Sequence, residues 1–181
     1  MHIDDIEQVF AEADCLYSAE DVGQALDEMA SQMTEAMHRD NPLMLCVVSG
    51  GIIPMGHLMT RLHFPLQIDY IHATRYRGAT SGGSLEWLSK PHFPLKDRVV
   101  VIVDDILDEG ITLEEIVKYC RAEGAERVYT AVLVEKEKPR PVTIKADFVG
   151  LVTPNRYLFG YGMDYKDYLR NANGIYAVKG M

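Results

Sequence analysis

Four acids crowd into six positions of this chain, Asp104, Asp105, Asp108 and Glu109, and are followed at once by Gly110, Ile111 and Thr112. They come directly after the uninterrupted apolar run Val99 to Val103. Adjacent carboxylates at the end of a buried strand repel each other, so they require compensation from a cation, a bound metal or ligand hydroxyls. Mg²⁺ and the hydroxyls of a ribose both meet that requirement. The stretch Asp108 to Thr112 reads as a short loop entering a helix, whose first amides lack intrahelical acceptors and carry the positive end of the dipole. Gly110 lets the backbone approach an anion closely and the Thr112 hydroxyl supplies a donor, so the loop suits a phosphate. Helix capping alone would need one acidic or hydroxyl residue, not four acids at close quarters.

The surrounding elements are legible from periodicity. Val99 to Val103 is β-branched in the manner of a strand covered on both faces. Leu113, Ile116, Val117 and Cys120 then mark one face of a helix stopping at Gly124. Val128 to Val134 predicts the next strand. Upstream, Ser18 and Asp21 open a helix over 19 to 38, with Val22, Leu26, Met29, Met33 and Met37 on one face. Leu43 to Val48 reads as a strand, Ser49-Gly50-Gly51 as a tight turn, Ile52 to Met59 as a helix and Leu66 to His72 as a strand. The polar, glycine-rich stretch from Arg75 to Gly83 predicts a mobile loop. Alternation of strands and helices with short connections predicts an α/β fold with a parallel sheet covered by helices, and ligands at the carboxyl ends of its strands.

Bulk properties narrow the classes. The 181 residues predict a single domain, 1–181, and the average apolar content of 48% predicts a folded chain. A formal net charge of −9 argues against broad binding to nucleic acid. Residues 41 to 60 contain no Asp, Glu, Lys or Arg, but Asn41, Pro42, Gly50, Gly51 and Pro54 interrupt them, so no membrane span is expected there. Cys15, Cys46 and Cys120 lack a paired spacing and are expected to be reduced, buried thiols. The acidic N-terminus without a following apolar stretch predicts cytoplasmic residence. Gly51 and Gly56 are spaced like the glycines of an ATP-binding phosphate loop, but His57-Leu58 stands where Lys-Ser/Thr is needed, which excludes that reading.

The segment VVVIVDDILDEGITL at 99 to 113 resembles the phosphoribosyl-pyrophosphate (PRPP) motif of type I phosphoribosyltransferases, a strand, two acids, then D-x-G-x-T. That resemblance implies a twisted parallel sheet flanked by helices, a small hood built from the terminal segments and a flexible active-site loop. It assigns Asp104 and Asp105 to the ribose hydroxyls and Asp108, Glu109, Gly110, Ile111 and Thr112 to the 5′-phosphate. The segment DFVGLVTPNRYLFGYGMDYKDYLRN at 147 to 171 is similar to the matching part of hypoxanthine-guanine phosphoribosyltransferases, which join a 6-oxopurine to PRPP. By resemblance, Tyr157 stacks on the purine, the Leu158 backbone meets its edge, and Lys136 donates to the 6-oxo group. Asp164, with Asp104 and Asp105, reaches Mg²⁺, and Arg170 meets pyrophosphate together with Ser49 and Gly50. Arg75-Tyr76 begins the flexible loop, and Asp108 is the proton acceptor near purine N7.

This chain departs from the better-known enzymes in its cations. They carry Lys or Arg where Ser49 stands, often Lys where Ile111 stands, and often Ser-Tyr in place of Arg75-Tyr76. Two alternatives therefore stand beside hypoxanthine-guanine salvage. One is a transferase preferring xanthine or another base, and the other is a non-catalytic PRPP-sensing regulator. The family resemblance also implies a homo-oligomer, dimer or tetramer.

Overall fold

The computed structural model describes residues 2–75 and 85–181. In chain order its elements are α1 (Ile3–Glu12), β1 (Asp14–Ser18), α2 (Ala19–Met37), β2 (Leu43–Val47), α3 (Ile52–Met59), β3 (Gln67–Arg75) and β4 (Leu85–Ser89). There follow β5 (Val99–Leu107), α4 (Ile111–Ala122), β6 (Arg127–Glu137), β7 (Phe148–Pro154), β8 (Leu158–Phe159) and β9 (Gly174–Ala177).

Strands β4-β3-β2-β5-β6-β7 form a six-stranded sheet, parallel throughout except for β4, which runs antiparallel to β3. The β-branched run of β5 lies at its centre because both faces are covered. Val101 and Val103 pack toward α2 and α3 with Met29, Met33 and Leu58. Val100 and Ile102, the alternate residues, pack toward α4 with Leu113, Ile116 and Cys120. The period of two along the strand thus delivers successive side chains to two cores, and none of these residues has a wet face.

A second sheet, β1-β9-β8, is antiparallel and joins the two ends of the chain. With α1 it encloses a small core of Ile6, Phe159, Tyr165 and Val178. This is the hood that the resemblance implies, and it places the residues after β7 over the carboxyl ends of the large sheet. The capping box at Ser18 is present: the Ser18 hydroxyl accepts from the Asp21 amide at 3.2 Å, and the Asp21 carboxylate accepts from the Ser18 amide at 2.8 Å. Helix α4 stops two residues before Gly124, which adopts a positive φ of 84°.

Several sequence-based expectations need correction. Strand β5 does not end at Val103 but runs through the acidic pair to Leu107, because pairing with β6 continues at Asp104↔Val132, Ile106↔Val134 and Leu107↔Glu135. Strand β6 likewise extends past Val134 to Glu137, held by β7 at Lys136↔Thr153 and Glu137↔Pro154. Arg75 closes β3 instead of opening a loop. Tyr76 and the remainder of the expected loop, to Gly83, lie outside the described residues. Cys15 is exposed on the hood rather than buried, since β1 is an edge strand there; Cys46 and Cys120 are buried as expected. No helix among the described residues is long and apolar enough to cross a membrane, and 41 to 60 is β2, its turn and α3.

Candidate active site

At the carboxyl end of the large sheet, beneath the hood, lies a cavity of about 260 Å³ lined by Asp105, Ile106, Asp108, Lys136, Tyr157, Leu158, Met163 and Asp164. Strand β5 supplies Asp105 and Ile106, and the loop after it Asp108. Strand β6 supplies Lys136, and the chain entering and leaving β8 supplies the rest. Six residues expected from distant parts of the sequence, Asp105, Asp108, Lys136, Tyr157, Leu158 and Asp164, therefore meet around one space. A roomier depression of about 610 Å³ against α2 shares none of these residues.

The acidic pair is the electrostatic centre. Asp105 is buried and lines the cavity, while Asp104 is half-buried and is not among the lining residues. The Asp104 carboxylate accepts from the Asp105 amide at 2.9 Å. Burial, then the neighbouring charge of Asp105, hold the Asp104 carboxyl well above the usual carboxylate range. Burial also raises Asp105, although the Asp104 hydrogen bond and the Arg170 guanidinium pull against it. The strain extends to the buried Cys46 thiol, which burial and the charges of Asp104 and Asp105 push up to about 12.

Packing locks this pair in place. A Cβ built on Gly50 would lie 2.5 Å from the Asp105 carboxyl carbon, and one on Gly162 would strike the Gly50 carbonyl. The turn after β2 and the loop after β8 thus close on Asp105 through two glycines. Ser49 is exposed beside Gly50 and is not among the residues lining the cavity. Arg170 donates to the Gly162 carbonyl at 2.6 Å and pairs with Asp164 at 2.7 Å. Arg170 therefore lies against the acidic group.

The stretch from Asp108 to Thr112 enters α4 as a short loop, as its sequence predicts. Gly110 stands at the N-terminus of α4 with φ 80°, a left-handed conformation that glycine adopts without penalty. It also packs tightly: a Cβ there would lie 2.9 Å from Val142 and Ile144. Glu109, Ile111 and Thr112 flank it, half-buried around the start of the helix. Ile111 supplies no charge to this loop.

Asp108 and Lys136 form the third feature. The Lys136 ammonium donates to Asp108 Oδ2 at 2.9 Å, and Lys138 pairs with Asp108 Oδ1. Partial burial works to raise the Asp108 pKa, but hydrogen bonds from Lys138 and Lys136 and their positive charges outweigh it and hold the carboxyl below its usual range. Lys136 is buried, contrary to the solvated turn that the charged run EKEKPR suggests. Arg140 fixes the surroundings, donating to the carbonyls of Asp108 (2.9 Å), Leu107 (3.3 Å) and Lys136 (2.6 Å) while pairing with Glu135 at 2.9 Å. Sequence reasoning missed Lys138, Arg140, Met163 and Gly162. The two-residue spacing of Lys136, Lys138 and Arg140 continues the alternation of β6 and was the available signal.

Tyr157 is 40% exposed, with its ring edge-to-face to Tyr165 at 5.6 Å, so one aromatic face borders the cavity without being consumed by the core. Leu158 is buried and pairs with Ala177 across β8-β9.

The donor set suits Mg²⁺. Asp104, Asp105 and Asp164 offer only oxygen, and the buried pair already lacks sufficient positive charge. Among the described residues no group of three or more His, Cys, Asp or Glu is gathered so as to hold a metal ion by itself, so no more than one or two of these carboxylates would serve. Mg²⁺ is ordinarily held by one or two carboxylates, with substrate oxygens and water completing its shell, so the residues fit.

Comparison with known proteins agrees with this arrangement. The family model for the phosphoribosyl transferase domain matches residues 12–166. The hypoxanthine-guanine-xanthine phosphoribosyltransferase of Tritrichomonas foetus is 30% identical over 178 residues, 98% of this chain and 94% of its own length. The hypoxanthine-guanine phosphoribosyltransferase of Streptococcus pyogenes is 32% identical over 165 residues, 91% of this chain and 92% of its own. The crystal structure of a hypoxanthine phosphoribosyltransferase from Staphylococcus aureus superposes with a TM-score of 0.87 at 25% identity, covering 92% of this chain and 91% of that one. With a family model across most of its length and relatives matched nearly end to end, the chain belongs to the phosphoribosyltransferase family, hypoxanthine-guanine type.

Proposed function

We propose that this chain, working as one domain over 1–181, is a purine-salvage transferase that joins hypoxanthine or guanine to PRPP, giving IMP or GMP and pyrophosphate. The observation that carries the reading is the Lys136–Asp108 pair, 2.9 Å apart, set in the same cavity as Tyr157. An ammonium beside a carboxylate offers a donor for a 6-oxo group and an acceptor for the N7 proton, which is the pair of contacts a 6-oxopurine needs. Adenine's 6-amino group accepts nothing from an ammonium, so Lys136 selects against it.

In the reaction the purine N9 forms a bond to ribose C1′ as the bond from C1′ to the pyrophosphate oxygen breaks. Asp108 takes the N7 proton, Tyr157 stacks on the base and the Leu158 backbone meets its edge. Asp104 and Asp105 orient the ribose hydroxyls, and Asp108 to Thr112 hold the 5′-phosphate on the first amides of α4. Arg170, Ser49 and Gly50 receive the pyrophosphate, and the family resemblance assigns Arg75 and Tyr76 to the flexible loop. One or two of the carboxylates of Asp104, Asp105 and Asp164 would hold Mg²⁺, whose chemistry there would be neutralisation of charge on the leaving group as positive charge develops on the ribose. Cytoplasmic residence and assembly as a dimer or tetramer belong to the same proposal, the assembly by the family resemblance.

A second base is favoured by one specific observation, that the T. foetus relative carries xanthine in its name. The test is a spectrophotometric assay of purified protein with PRPP, Mg²⁺ and each of hypoxanthine, guanine, xanthine and adenine, compared as kcat/KM. Turnover of hypoxanthine or guanine with none of adenine is expected. Absence of turnover with every 6-oxopurine would overturn the proposal.

A further inference from the structure

Asp108 is held from two sides by two different lysines. Lys136 takes Oδ2 and lines the cavity; Lys138 takes Oδ1 and is not among the cavity-lining residues. Both ammonium groups are well enclosed, with side chains 10% and 18% exposed. Their arrangement follows from β6, which ends at Glu137: Lys136 and Lys138 flank Glu137, whose own side chain faces solvent. Pro139 and the Arg140 clamp on the carbonyls of Leu107, Asp108 and Lys136 then hold the turn against the end of β5.

Two cations on one carboxylate are more than an isolated ion pair requires. In the reaction proposed above, however, Lys136 must turn its ammonium to the 6-oxo group of the base. A sole partner doing so would leave a half-buried carboxylate unpaired, at the moment it must stay ionised to accept a proton. We infer that Lys138 is a positioning residue, retaining the Asp108 carboxylate through Oδ1 while Lys136 is released to the base. This inference rests on the purine reading of the site. The division of labour matches the geometry, since the lysine facing the cavity contacts substrate and the lysine behind Asp108 does not. The other charges around Asp108 are accounted for: Arg140 binds its carbonyl and is neutralised by Glu135, Glu109 is its chain neighbour, and Asp105 and Asp164 line the same cavity and repel it.

The sign of the effect on the pH profile follows. A paired carboxylate stays ionised to lower pH than a lone one. Once Lys136 has turned to the base, Lys138 alone supplies that pairing. Removing Lys138 therefore moves the acid limb of kcat upward in pH, and more than it moves that of kcat/KM, because the free enzyme still has Lys136 on Asp108.

The experiment measures kcat and KM for hypoxanthine across pH in wild type, Lys138→Met, Lys138→Gln and Lys138→Arg. The first two variants are expected to lose roughly three- to tenfold in kcat on the acid side and to show a raised hypoxanthine KM, as Lys136 is retained by Asp108; Lys138→Arg restores both. Profiles and KM values superimposable on wild type overturn the inference. A second readout needs neither turnover nor a variant: in wild-type protein the ¹⁵Nζ resonance of Lys138 is expected to shift as Asp108 protonates, and an unmoved resonance overturns the inference equally. If wild type converts no 6-oxopurine, the purine reading fails by itself, while the resonance still reports whether Lys138 holds Asp108.

Discussion

Gly50 lies so close against Asp105 that a single methyl at position 50 would stand 2.5 Å from the carboxyl carbon and 2.8 Å from Oδ1. Asp105 is short and buried, and Gly162 packs tightly against both it and the Gly50 carbonyl, which leaves it little room to retreat. Gly50→Ala is therefore expected to displace the carboxylate, costing about 1–3 kcal/mol of stability from overpacking. A displacement of this kind is expected to cost roughly tenfold or more in kcat/KM for PRPP. Urea denaturation and PRPP kinetics check the two effects separately; an alanine variant with wild-type PRPP kinetics would show that the contact does not set the carboxylate's position.

The acidic pair makes a stability prediction of definite sign. Asp104 has a folded pKa raised above the ordinary aspartate value of 3.8, so its ionised form opposes folding. The stability that it contributes is fully present below about 3.8 and is lost as pH rises through the raised native value. Asp104→Asn keeps an oxygen for the Asp105 amide and removes the charge, and should stabilise the unliganded protein by roughly 1–3 kcal/mol at neutral pH, with the gain vanishing in acid. Denaturation midpoints at neutral and acidic pH would decide it. The same variant should bind PRPP more weakly, since it gives up a ribose and metal ligand for its stability.

Tyr157 offers a stacking face, not a hydrogen bond, on the proposed reading. Tyr157→Phe should leave KM for hypoxanthine close to wild type, whereas Tyr157→Ala should raise it roughly tenfold or more, in line with about 1–3 kcal/mol for a base stacked on an aromatic ring. The KM for PRPP should be unmoved by either. A phenylalanine variant as impaired as the alanine one would assign the hydroxyl, not the ring, to binding.

How much of this was legible beforehand differs by residue for physical reasons. Val99 to Val103 announced a buried central strand because two covered faces leave no polar positions, and Asp104 and Asp105 stood out because their repulsion is costly without a ligand. The end of β5 was misplaced, since strand pairing with β6 carries the backbone through Asp104 and Asp105 despite their unfavourable strand propensity. The hood was implied only by resemblance: α1 buries just Ile6, and β1, β8 and β9 are too short for periodicity to register. Lys138 and Arg140 were passed over because a charged run is ordinarily solvated, so their two-residue spacing after Lys136 carried little weight until the folded neighbourhood of Asp108 showed where those charges go.

Asp108 carries the sharpest catalytic prediction. Asp108→Asn preserves size and an acceptor oxygen, so the fold and PRPP binding should survive. An amide cannot take the N7 proton, however, and it leaves Lys136 and Lys138 facing each other without the negative charge between them. Both effects act on the chemical step. The loss of a proton acceptor alone is commonly worth about 10²–10⁴-fold, and a fall in kcat within that range is expected with KM for PRPP little changed. Rates of single turnover measured with hypoxanthine would reveal the loss. Unchanged turnover in Asp108→Asn would remove this carboxylate from the mechanism and leave the Lys136–Asp108 pair as architecture.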